Sequence, residues 1–131
     1  MADPKADTTI GISAGVTAPA LQGFAAATAA SDGVSLASLA AIDQLEVRTR
    51  NSLYRITVLD GRAGRVLVLG GAFFPVWSEA QIAGSTLGGS FLKMGWVGCG
   101  FCMEFVCQGQ RIITTRAREV RRVAAPAGKV C

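Results

Sequence analysis

The chain reads as a mainly β protein: a small antiparallel barrel or roll, of SH3-like or OB-like size, with one short N-terminal helix. Three observations predict this. Apolar and polar residues alternate strictly through Leu45, Val47 and Thr49, and again through Tyr54, Ile56 and Val58, the period of half-buried antiparallel strands. Glycine-bearing turns separate the apolar segments, at Asp60-Gly61-Arg62-Ala63-Gly64 and at Gln108-Gly109-Gln110. Finally, 131 residues with 50% hydrophobic and only 17% charged side chains make one compact domain plus a tail, and exclude wholesale disorder.

Taken in order, residues 1–33 are Ala, Thr, Gly and Ser with few large side chains, and are expected to form a flexible low-complexity arm. Within it, Thr8-Thr9-Ile10-Gly11-Ile12-Ser13 alternates like a short strand able to join an exposed sheet edge. Residues 34–43 place Leu36, Leu39, Ala40 and Ile42 near helical spacing, with Ser31 or Asp32 as caps, which predicts the short helix.

Residues 44–123 form the β domain. Its second strand meets the apolar strand Val66-Leu67-Val68-Leu69 at a hairpin through residues 60–64, and Phe101, Met103, Phe105 and Cys107 alternate in another. Arg111-Ile112-Ile113-Thr114-Thr115 returns the chain, and a last segment carries Val120 and Val123 among arginines. Five or six short strands call for closure, which removes exposed edges. Between Val66 and Met103 only Glu79 and Lys93 are charged. There Ser78-Glu79-Ala80-Gln81-Ile82-Ala83 reads as one or two helical turns, and residues 84–89 as a glycine loop. Residues 124–131 are a frayed tail.

The chain contains no histidine. That excludes histidine general acid–base chemistry, Ser-His-Asp and Cys-His nucleophiles, and His-ligated metals. Cys99-Gly100-Phe101-Cys102 has C-x-x-C spacing, but a strand pattern follows it directly, and strand residues three apart face opposite ways. A thiol or zinc site at Cys99 and Cys102 is therefore the lesser reading; buried thiols packing as small hydrophobes are the main one. The segment 84–89 lacks the G-K-[ST] of a phosphate loop. No cofactor is implied. The start, Met1-Ala2-Asp3-Pro4-Lys5, has no export pattern, and the run 66–77 is too short and interrupted for a membrane helix. The expectation is a cytoplasmic protein with reduced thiols and no integral membrane segment.

Charge is uneven. The overall balance is +4, yet residues 1–42 sum to −2 and residues 43–131 to +6, with ten Arg among the basic residues of the latter. Arg48, Arg50, Arg111, Arg118, Arg121 and Arg122 are the candidate surface for an anionic partner. Tyr54 alternates inward with Ile56 and Val58, so no aromatic platform accompanies them for base stacking. The charge-poor middle places Phe73, Phe74, Trp77 and Trp96 as candidate interface anchors. Together these features predict a non-enzymatic binding or assembly module, a homo-oligomer or one that takes a protein partner, with Arg-mediated nucleic-acid binding as the alternative.

Overall fold

The computed structural model describes residues 10–12, 18–87 and 91–123. Ten strands and one helix follow in the order β1 (Ile10–Ile12), α1 (Ala18–Ala29), β2 (Gly33–Ser35), β3 (Gln44–Thr49), β4 (Leu53–Asp60), β5 (Arg65–Gly70), β6 (Phe74–Thr86), β7 (Phe91–Met94), β8 (Trp96–Gly98), β9 (Cys102–Cys107) and β10 (Gln110–Val123). The predicted class holds: this is a mainly β, antiparallel, closed fold with one N-terminal helix.

Closure comes from the two longest strands. β3 to β6 form a meander, each strand antiparallel to the next. β10 pairs with β9 through its first half and with β3 through its second. β9 then pairs with β6, from Gln81↔Val106 to Thr86↔Cys102, so β6-β5-β4-β3-β10-β9 is a ring of six strands. β7 continues the sheet beside the end of β6, with β1 outside it, and β2 pairs with β8 as a separate ribbon.

The alternation read from the sequence fills the ring. Leu45, Val47, Tyr54, Ile56, Val58, Val66, Val68, Met103 and Phe105 are all buried in one cluster. Arg48, Arg55 and Arg65, on the opposite parity, face solvent. At the β9–β10 hairpin, Gln108 and Gly109 both have positive φ, 52° and 78°, as a two-residue type I′ turn requires.

Five local expectations are corrected. Residues 34–43 are not a helix: β2 is drawn into pairing with β8, and a three-residue 3-10 turn follows over Leu36–Ser38. That turn satisfies the three-residue spacing by putting Leu36 and Leu39 into the barrel core, while Ile42, next in the series, is 66% exposed. The helix instead lies within the supposed flexible arm. Residues 18–29 contain six alanines, the best helix former, with Pro19 in the first turn. Phe24 and Thr28 are buried on one side, and the Ser31 hydroxyl donates to the Ala27 carbonyl at 2.8 Å. Phe24 stacks on Phe91 and meets Phe101 edge-on, making a satellite core with Trp96. Residues 78–83 are strand rather than helical turns, and Gly84, Ser85 and Thr86 belong to β6 rather than to a loop. The last segment is no separate strand, because β10 runs on from Gln110. Residues 1–9, most of the start of the arm, and the tail 124–131 lie outside the described residues. Among the described residues, no helix is long and apolar enough to cross a membrane.

Candidate functional site

Two surfaces were marked by the sequence, one aromatic and one basic, and the fold divides each of them. Of the aromatic candidates, Phe74 is 1% exposed and packs edge-on against Phe105 with ring centroids 5.1 Å apart. Trp96 is 8% exposed, and its indole covers Gly33 and Gly98. Both are core residues, which removes them from the candidate interface. Phe73 and Trp77 remain outside, 57% and 47% exposed.

Why they are outside follows from register. β5 and β6 pair as Val68↔Ser78 and then Gly70↔Phe74, so β6 carries two extra residues between those pairs. The bulge contains Pro75, Val76 and Trp77, and all three are exposed. Proline suits such a site because it has no N–H to give to a ladder. On its other side, among the described residues, β6 has registered partners only from Gln81 onward. The stretch 74–79 is therefore a sheet edge that overhangs the ring. Phe73, Trp77 and Val106 line one open concavity there, with Cys107 and Ile112 at its base and Arg65 and Glu79 on its rim. The rim charges pair with each other at 3.0 Å. Val76, at 66% exposed, had no motif to mark it; the Pro75 beside it was the available signal.

The basic surface is largely neutralised. Arg48 pairs with Glu119 at 3.6 Å, Arg111 with Glu104 at 3.0 Å and Arg122 with Asp43 at 3.3 Å, and Arg121 pairs closely with Glu46. Glu104 is 8% exposed, so its guanidinium partner compensates a nearly buried carboxylate. These cross-strand pairs hold most of the predicted arginines as sheet-surface partners rather than as free cations. Arg50 and Arg118 have no ion pair among the described residues. Arg116, another arginine of β10, joins them around one concavity.

Cys99 lies in the turn that precedes β9, so strand parity does not run through it as expected. Its N–H donates to the Asp32 carbonyl at 2.8 Å. Cys99, Cys102 and Cys107 are half-buried thiols. No group of three or more Cys, Asp or Glu side chains converges among the described residues.

Comparison with family models, with curated proteins and with solved structures finds no match to this chain.

Proposed function

We propose that this protein is a non-enzymatic binding and assembly module that associates through the overhanging edge of β6, with a second copy of the same edge as its simplest partner. One observation carries the reading: residues 74–79 have no strand partner on this side among the described residues, and they are flanked by exposed Phe73, Val76 and Trp77. An open edge with apolar side chains is the arrangement that proteins otherwise blunt with charge. Packing two such edges face to face covers both aromatic clusters. Pro75 has no N–H to donate, and the Val76 and Glu79 carbonyls already accept from Ser78 Oγ and Cys107 Sγ, so side chains supply the contact. Trp77 is the natural anchor, since an indole gives large apolar area at low cost in side-chain entropy.

The test is light scattering across a wide concentration range, on the parent protein and on Phe73→Ser/Trp77→Ser. The parent is expected to form a dimer or higher assembly, and the double variant to remain monomeric with an unchanged melting temperature. A parent that is monomeric at every concentration rejects the proposal. So does a double variant that assembles as the parent does.

A further inference from the structure

We infer that Arg50, Arg116 and Arg118 form a docking site for a phosphate-bearing ligand, separate from the β6 edge. The three arginines line one open concavity with Gly100, Thr115 and Ala117, and no acidic residue lines it. All three arginines are exposed, and none has an ion pair among the described residues. Elsewhere the same sheet gives other arginines acidic partners: Glu119 for Arg48, Glu46 for Arg121, Asp43 for Arg122. Arg55 and Arg62 also lack an ion pair among the described residues; what sets this corner apart is that three such arginines line one concavity.

The backbone explains how the corner is assembled. Ala117 of β10 pairs with Thr49 of β3, and β10 bulges just beyond it, between Ala117 and Glu119. Ala117↔Thr49 is the last pair of this seam, with Arg50 directly after Thr49 and Arg116 directly before Ala117. Arg118 is the bulged residue between the Ala117 and Glu119 pairs, and it lines the same concavity. Gly100 closes the floor, its N–H donating to the Ala117 carbonyl at 2.7 Å, and a Cβ built at Gly100 would meet nothing within 4 Å.

Three clustered guanidiniums select a multivalent oxyanion over a single carboxylate, because each planar fork matches two oxygens and phosphate offers more oxygens and more charge. The concavity is about 540 Å³, more than one phosphate group fills. Its floor of Gly100 and Ala117 leaves room for the organic part of a phosphate ester. The ligand chemistry is therefore a phosphate ester, either a small organic phosphate or the backbone of a single-stranded nucleic acid.

The experiment titrates the full chain with inorganic pyrophosphate and with a short oligouridylate, following backbone amide shifts by NMR. The variant is Arg50→Gln/Arg116→Gln/Arg118→Gln, and the charge-matched control is Arg55→Gln/Arg62→Gln/Arg65→Gln. Shifts at Arg50, Gly100 and Ala117 that vanish in the variant and persist in the control support the site. Binding of pyrophosphate alone marks a small phosphate ester, and binding of oligouridylate alone marks a nucleic-acid backbone. If three phosphates are contacted, oligouridylate affinity falls about 40-fold over a sixfold rise in salt. The site is overturned if neither probe shifts these amides at low salt. It is also overturned if the control loses binding equally, or if poly-glutamate binds as tightly.

Discussion

The sharpest stability test lies at Gly98. Gly33 of β2 and Gly98 of β8 are cross-strand partners, and the Trp96 indole lies over both. A Cβ built at Gly98 would sit 2.0 Å from Trp96 Cη2, and one at Gly33 would sit 2.3 Å from Cζ2. Neither glycine is there for a positive φ; each is there to leave space for a ring. The indole has little freedom to yield, because Phe101 meets it edge-on at 5.5 Å and the Lys93 ammonium sits 4.5 Å from its centroid. Gly98→Ala therefore overpacks the satellite core, at about 1–3 kcal/mol. The lower entropy of the unfolded alanine chain returns about 0.4–1 kcal/mol. The net cost is about 1–2 kcal/mol, a fall in Tm of about 4–8 °C. The assay is thermal and urea unfolding in a Trp77→Phe background, where Trp96 is the only indole and reports its own displacement by a red-shifted emission. Trp96→Leu frees the space, so Gly98→Ala should cost much less in that background. Equal cost in both backgrounds, or unchanged emission and stability, refutes the steric argument.

Other predictions follow from single residues. Ile42 holds φ 77° while 66% exposed, an arrangement unfavourable to a β-branched side chain; Ile42→Gly should raise stability by about 1 kcal/mol, read as a higher Tm. Arg111→Met strips the nearly buried Glu104 carboxylate of its guanidinium and should cost about 1–3 kcal/mol in urea unfolding, with part of that loss recovered by adding Glu104→Gln. Burial pushes the Tyr54 hydroxyl above its ordinary pKa of 10.0, against a smaller opposing effect of its hydrogen bond with Ser52. The folded state therefore keeps its proton longer than the unfolded state. This contribution is complete below pH 10 and is lost as pH rises through the higher folded value. Since Tyr54 is the only tyrosine, absorbance at alkaline pH titrates it directly, and Tyr54→Phe should remove this part of the alkaline loss of stability.

Residues facing one core by strict alternation were legible, as Leu45, Val47, Tyr54, Ile56 and Val58 show. Their parity is a local property of each strand and needs no knowledge of the partner. What was not legible depended on partners. Leu36 and Leu39 match a helix and a 3-10 turn equally, and only the pairing of β2 with β8 decides between them. The helix at residues 18–29 has a narrow apolar stripe, because alanine supplies propensity without amphipathicity, and Phe24 becomes an anchor only when Phe91 and Phe101 are brought to it. Four tryptophan and phenylalanine side chains in an uncharged stretch looked alike, yet the two-residue bulge at Pro75 is what separates exposed Trp77 from buried Phe74. The arginines were visible as a group. Which of them are free was not, since that depends on acidic residues up to 79 positions away, as for Asp43 and Arg122.

The seam between β3 and β10 joins Gln44 to Val123 and Leu45 to Arg122, so the first stave of the barrel waits for the last. During synthesis, the meander of β3 to β6 leaves the ribosome with its β3 flank bare until β10 has followed. Loss of β10 would remove the neighbour of both β3 and β9 at once, converting a hoop into an open sheet with two fresh sticky margins. Nascent chains stalled before that strand should therefore be the species that chaperones hold and that aggregates collect.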